Sequence, residues 1–317
     1  MGLSLGTLLP LRLRLWVGIR VFGRCFEGPV TRVSWHRVIK GPCRPPEIEA
    51  MQYVSEHTDI PIPKVYAIHT DKNDIYIEME YIRGQTLEDA WRHLSRDQKD
   101  TAMADLKQAM ATLHALEPPA QDLVSSALQN PAIDCRIGSG FFGPMSSDEF
   151  HTMLRKKMPI EYAEEYFGKE IVQVHTTRYR TQFCHSDFAA RNIMVRNGRL
   201  AAIIDWAYAG WYPEYWDYTR AHYTFMPGDD HYEWQEYLSV TLPNYKTELA
   251  VEELLWRRLP DPGARVTTVQ GDVTIESKGS KPSPAWLNER AGRQVQDLWT
   301  LALAKLNSLE RERERLS

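Results

Sequence analysis

Asp187, Asn192 and Asp205 are oxygen-bearing side chains set around two short apolar runs, Ile193-Met194-Val195 and Leu200 to Ile204, which flank Arg196-Asn197-Gly198. Asn-Gly between apolar runs is the strongest short-range signal for a β-hairpin. A hairpin here brings Asn192, just before its first strand, close to Asp205, just after its second. Asp187 then lies on the loop that enters the hairpin. An acid, an amide and a second acid converge at one end of a small sheet. Hard oxygen donors of this kind suit Mg2+, and a separate carboxylate suits a proton acceptor facing an attacking hydroxyl. Turns and strand ends use the same residue types, but three such residues need not fall at this spacing around a hairpin.

The string His185-x-Asp187-x-x-x-x-Asn192 followed by Asp205 resembles the catalytic and metal-binding loops of the aminoglycoside phosphotransferase family, which shares the protein-kinase-like fold. Protein kinases carry Arg after the His and Asp-Phe-Gly in the metal loop. Here the corresponding residues are Ser186 and Asp205-Trp206-Ala207, so the small-molecule branch fits better. Ile60-Pro61-Ile62-Pro63-Lys64-Val65-Tyr66 is similar to fungal members of the phosphotransferase family, and Asp205, Gly210 and Asp217 match a further family arrangement. The resemblance spans about Val30 to Asp217. It implies an α+β, bilobal protein-kinase-like fold with a small β-rich N-lobe and a mainly helical C-lobe. It also implies an ATP-dependent transfer to a hydroxyl of a small molecule. In that scheme Asp187 orients the hydroxyl and takes its proton, His185 supports the loop, and Asn192 and Asp205 hold Mg2+. Asp217 holds the catalytic loop as a buried acid.

On the nucleotide side, Val38-Ile39-Lys40 resembles the strand whose terminal lysine contacts nucleotide phosphates. Glu47-Ile48-Glu49-Ala50-Met51 has helical spacing, so a glutamate near its start is positioned to aim Lys40. The spacing leaves Glu47 and Glu49 both open, and the family pattern favours Glu47. The strand Ile75 to Ile82 resembles the one that enters the interlobe hinge. By that resemblance Met79 guards the back of the adenine pocket, the backbone of Glu80 and Ile82 reads the adenine edge, and Gly84 turns the chain into the second lobe. The chain departs from the pattern at Gly23 to Gly28, where no Gly-x-Gly-x-x-Gly appears. A catalytically weak or inactive kinase-like binding or scaffold protein is the alternative that this departure leaves open.

The elements that must position these residues follow from periodicity. Leu87 to His93 reads as a helix, and Lys99 to Leu116 as a longer one with Leu106, Met110 and Leu113 on its core face. His114 reads as a structural histidine. Ile137 to Pro144 is glycine-rich without the features of a phosphate loop, and is expected as a surface loop before a helix from Ser147 to Lys157. Trp211, Tyr212 and Tyr215 suit either a cage for a cationic substrate or the packed floor of the lobe, with packing preferred.

At 317 residues the chain divides into a basic apolar segment (1–29), an N-lobe (30–83), a C-lobe (84–260) and a linker with a C-terminal helix (261–317), with a weak hairpin from Val266 to Ile275. Net charge is −4, which argues against nucleic-acid binding through a global basic field. Four scattered cysteines, Cys184 among them as a small buried hydrophobe, point to a reducing, cytoplasmic setting. Arg12, Arg14 and Arg20 exclude a membrane-spanning helix at the amino end. That stretch is expected as a basic helix packed on the first lobe or touching a membrane surface, with a mitochondrial transit peptide as the minority reading.

Overall fold

The computed structural model describes residues 10–23, 29–223 and 230–259, with two further strands at 264–269 and 272–277. The expected glycine segment from Arg24 to Gly28 and the C-terminal helix lie outside the described residues.

The first lobe runs α1 (Leu11–Phe22), β1 (Val30–Arg32), β2 (Arg37–Cys43), α2 (Pro45–His57), β3 (Val65–Asp71) and β4 (Asp74–Glu80). Its strands form one antiparallel sheet in the order β1-β2-β4-β3. Strand alternation sends Val38, Ile77 and Met79 into the core with Ala50, Met51 and Val54 of α2. Two prolines open α2, where an N–H would have no helical partner. They set Glu47 in its first turn, the favourable end for a carboxylate.

The same alternation turns Glu78 to the opposite face, under α1. Its buried carboxylate takes two hydrogen bonds from Arg14, at 2.8 and 2.7 Å, one from Arg37 at 3.0 Å, and a contact with His69 Nε2 at 2.8 Å. Burial pushes this carboxyl up, but the hydrogen bonds from Arg14, His69 and Arg37 prevail and hold it at about 2. A depressed carboxyl contributes stability that is present above its ordinary value near 4.5 and is lost as pH falls from there towards 2. Glu78→Gln is therefore expected to be less stable than wild type by about 3 kcal/mol at neutral pH, with the gap closing at acid pH. Denaturant titrations at pH 7 and near pH 2 measure it.

Gly84, at φ +151°, carries the chain between lobes so close to the C-lobe that a Cβ would lie 2.3 Å from Val195 O. Then come β5 (Gln85–Thr86), α3 (Leu87–Ala90) continued by a 3-10 turn at Trp91–His93, and α4 (Arg96–His114). A capping box between Ser95 and Gln98 starts α4 three residues before the apolar spacing indicates. Next are β6 (Ser125–Ser126), β7 (Ala132–Asp134), β8 (Gly138–Phe142), α5 (Ser147–Leu154), α6 (Ile160–Phe167) and α7 (Lys169–Thr176). The chain continues through β9 (Thr181–Cys184), β10 (Ile193–Arg196), β11 (Arg199–Ile203), β12 (Gly210–Pro213), α8 (Trp216–Tyr223), α9 (Asp230–Thr241) and α10 (Lys246–Arg258). Strands β13 (Ala264–Val269) and β14 (Asp272–Ser277) pair with Val266 opposite Ile275, as the weak hairpin requires.

Two small sheets, β11-β10-β5 and β6-β12-β9, carry the loops of interest. One apolar cluster runs through both lobes, joining Val38, Met51 and Met79 to Leu106, Met110, Phe183, Ile193 and Trp206. A second, around Phe150, Tyr212, Tyr215 and Trp216, fills the C-lobe below. Trp211, Tyr212 and Tyr215 are fully buried, so they pack the floor and leave no face for a cation.

Two expectations need correction. The glycine-rich stretch is not a plain surface loop: Gly138–Phe142 is a strand, paired with β7. Glycine weakens strand propensity, and only the tertiary partner supplies the ladder. The helix from Leu87 is α-helical for one turn and then tightens to 3-10, because Leu94 N–H bonds to both Ala90 O and Trp91 O.

Candidate active site

The hairpin forms as its turn residues dictate, with Asn197 at φ 54° and Gly198 at φ 72°, both left-handed as a type I′ turn needs. Ile193 pairs with Ile203, and the ladder extends one step further through Ile204 N–H to Asn192 O at 2.9 Å. That bond sets Asn192 beside the residue preceding Asp205. Asp205 itself sits at φ 63°, an uncommon backbone conformation for a non-glycine residue.

The loop after β9 is held from below. Asp217, in the first turn of α8, accepts from Ser186 N–H at 2.8 Å and His185 N–H at 3.2 Å. His114 Nε2 lies 2.8 Å from the same carboxylate, which gives that histidine its structural role. Ser186 has φ 62°, so the backbone bends sharply where Asp217 grips it. His185 is fully buried. Burial lowers its pKa, against the upward pull of Asp217, Asp187 and Asp205. As a neutral ring it donates from Nε2 to Ile204 O at 3.1 Å and accepts Asp187 N–H on Nδ1 at 3.3 Å. His185 thus ties the two loops together with no exposed atom for a reactant, which makes it a positioning residue. Asp217→Ala strips the acceptor from two buried N–H groups and should cost about 2–4 kcal/mol, with Asp217→Asn intermediate. Thermal unfolding measures it, and a loss below about 0.5 kcal/mol would contradict the role.

Asp187 is almost fully buried and its two oxygens are spoken for from one side. Asn192 Nδ2 donates to Oδ2 at 2.8 Å and to the main-chain oxygen at 2.9 Å. Arg191 Nη2 lies 2.7 Å from both carboxylate oxygens. Arg191 is a charged contact of this acid that motif reasoning passed over; it stands in the 3-10 turn Ala190–Asn192, four residues after Asp187.

Across the cleft, Lys40 donates to Glu47 Oε1 at 2.5 Å and to Asp205 Oδ1 at 2.7 Å. The choice between glutamates is decided here, because Glu49 instead accepts from Ser126 and Asn130. Burial alone would lower the Lys40 ammonium, but Glu47 and Asp205 together raise it, so it stays charged. Burial works upward on Asp205 and Lys40 draws it down, with a net lowering. Glu47 is pushed up by burial against the pull of Lys40. The Asp205 side chain remains 41% exposed, whereas Glu47 is 3% exposed. The outer acid of the triad is therefore the one open to a ligand.

At the hinge, Met79 is buried opposite Val38. Glu80 N–H is taken by Lys64 O at 2.9 Å and Tyr81 N–H by His36 O at 3.0 Å. A shallow polar cleft of about 290 Å3 lined by Tyr66, Glu80, Ile82 and Arg196 lies at the hinge, and no residue of the Lys40 or Asp187 clusters lines it.

With this geometry in place, the sequence matches the profile of the Phosphotransferase enzyme family over residues 43–245. The chain belongs to that family. The matched span takes in Glu47, Met79, Glu80, Ile82, His185, Asp187, Asn192 and Asp205, and begins just after Lys40. Phosphotransferases also stand among the similar solved structures. A thermostable mutant of aminoglycoside phosphotransferase APH(4)-Ia in its apo form has 16% identity and a TM-score of 0.51, over 75% of this chain and 87% of that one. Aminoglycoside phosphotransferase APH(4)-Ia itself has 15% identity and a TM-score of 0.51, over 74% and 83%. A ternary complex of the mutant enzyme with ADP and hygromycin B has 16% identity and a TM-score of 0.50, over 77% and 88%. At such identities the likeness shows the fold, which is the kinase-like one. The search of curated proteins gives no match.

Proposed function

We propose that this phosphotransferase transfers the γ-phosphoryl group of ATP to a hydroxyl of a small molecule. The observation that carries the reading is Lys40, held by Glu47 in the N-lobe and touching Asp205 in the C-lobe, above a loop on which Asn192 braces Asp187. The work divides between residues 30–83 on the nucleotide side and 84–260 on the acceptor side.

Asn192 and Asp205 fit a magnesium ion that arrives with the nucleotide. The Asn192 amide nitrogen is committed to Asp187, so its oxygen is the end left for a metal, and the Asp205 carboxylate is open to the cleft. Among the described residues no three His, Cys, Asp or Glu side chains form a cage of their own. Two protein donors suffice for Mg2+, whose remaining positions go to phosphates and water. When bound, the ion neutralises charge on the phosphates.

Lys40 has three donors, two of them engaged by Glu47 and Asp205, and offers the third to the α/β phosphates. The Glu80 carbonyl and Ile82 N–H hold the adenine edge, with Met79 behind it. Asp187 orients the acceptor hydroxyl and takes its proton as the acceptor O–P bond forms and the bond from the γ-phosphorus to the bridging oxygen breaks, releasing ADP. His185 keeps the two loops in register. Catalysis is mostly positioning and charge neutralisation.

The test is thermal unfolding of the purified chain with ATP, with and without Mg2+, followed by an ADP-release screen over hydroxyl-bearing metabolites. Mg2+-dependent stabilisation of about 2–3 kcal/mol at 100-fold excess over Kd is expected, with ADP release by at least one acceptor. No stabilisation at millimolar nucleotide, together with no ADP release, overturns the reading.

A further inference from the structure

Helix α1 is attached to the N-lobe by a mixed stripe that includes a buried arginine. Arg14 is the buried residue that grips Glu78, and Gly18 is buried where a Cβ would lie 2.3 Å from Arg32 O. Leu11, Leu15 and Phe22 complete the inward stripe and are half-buried. Around the rest of the helix Leu13, Trp16, Val17, Ile19 and Val21 are all exposed, Trp16 at 57% and Val21 at 64%, with Arg12 and Arg20 exposed among them. An ordinary surface helix keeps its large apolar side chains inward; this one draws Arg14 inward and leaves five of them in solvent.

Further exposed apolar surface lies beside the helix, at Trp35 in the turn between β1 and β2. Phe22 meets Trp35 edge-on at 5.5 Å, Arg32 lies over both rings at 4.9 and 5.3 Å, and Trp35 is 68% exposed. Arginines accompany it, one of them paired with an acid. Arg20 lies over Trp16 at 5.2 Å, Arg12 stands exposed at the helix start with Asp71 beside it, and no acidic residue precedes Glu27 in the chain. Contiguous exposed apolar surface of this kind marks an interaction site.

We infer that this face docks on the surface of an anionic lipid bilayer, with α1 lying in the interface plane. A short helix that shows Trp, Leu, Ile and Val to solvent with arginines among them has the composition of an interfacial helix. Tryptophan favours headgroup depth, and arginine meets lipid phosphates. Charge complementarity chooses this occupant over a second copy of the chain, because a twofold contact would bring two arginine-bearing patches together. The association is peripheral. No helix among the described residues is long and apolar enough to cross a membrane. The inference is independent of the phosphoryl-transfer reading, since none of its residues belongs to that site.

The experiment is co-sedimentation of the full chain with phosphatidylcholine vesicles made with and without phosphatidylserine. Binding is expected to be at least about tenfold stronger with phosphatidylserine and to weaken at high salt. Arg20→Glu, and separately the double change Trp16→Ser with Val17→Ser, should each lower it by about tenfold. All three side chains are exposed, and an unchanged melting temperature confirms that the variants fold. No sedimentation with either composition, equal sedimentation with both, or full binding by the variants overturns the inference. A dimer in solution that the Trp16→Ser and Val17→Ser pair dissolves would also overturn it, in favour of a second copy.

Discussion

Asp187→Ala is expected to lower turnover by about 100- to 10,000-fold while leaving the affinity for Mg·ATP nearly unchanged. The structure explains why the two effects should separate. Asp187 touches Arg191 and Asn192 but none of the nucleotide-side residues. Its loss releases Arg191, which is already 44% exposed and readily solvated. Asn192 keeps its second bond, to the main-chain oxygen of residue 187, so the metal-side amide stays oriented. A variant that cannot accept the hydroxyl proton but still assembles the nucleotide site should show a kcat effect with little change in the ATP KM. Single-turnover phosphoryl transfer and a nucleotide thermal shift on the same preparation provide the two readouts. Turnover within about threefold of wild type would remove Asp187 from the reaction, since loss of a general base costs far more.

Lys40→Met carries the second large effect, and it falls on folding as well as on activity. The substitution leaves Glu47 buried with no cation beside it and Asp205 without its cross-lobe partner. Breaking a buried pair from one side costs about 3–5 kcal/mol. Nucleotide affinity should fall with it, because in the proposed mechanism the same ammonium donates to the phosphates. The double change Lys40→Met with Glu47→Leu separates the two roles. It removes the stranded carboxylate and should recover most of the stability, yet it cannot recover nucleotide binding. Denaturant unfolding and ATP titration measure the two. If the double variant regains nucleotide affinity, Lys40 is a structural pin only.

The hairpin, the two loops and the Lys40 strand were legible before any coordinate because each rests on local chemistry. Asn197-Gly198 admits the left-handed turn, the flanking runs supply the strands, and the turn sets the register. Asp187, Asn192 and Asp205 had to fall where that register put them. Asp217 was expected to hold the loop from the family resemblance and His114 to be structural from its place on a core helix, and both make those contacts. The β8 strand and the helices α9 and α10 were not legible. Glycine in β8 contradicts strand propensity, and the helical segments show no clean apolar period because they pack on more than one side.

The choice between Glu47 and Glu49 shows where local reasoning stops. Both lie near the start of α2, and only the placement of Ser126 and Asn130 draws Glu49 away from Lys40. Arg191 is a parallel case: its bond to Asp187 depends on side-chain directions in a single 3-10 turn. Helix α1 is the clearest. Its composition indicated a basic helix packed on the first lobe or touching a membrane surface, without indicating which side faces in. Which side turns inward was decided by Glu78, 64 residues away, whose buried carboxylate draws Arg14 beneath the helix. The sequence by itself determined the family, the hairpin and the identities of the acids and the lysine, because these depend on residues close together in the chain. Only the tertiary structure decided which glutamate holds Lys40, which arginine holds Asp187 and which face of α1 meets solvent, because a buried charge selects its partner by three-dimensional proximity.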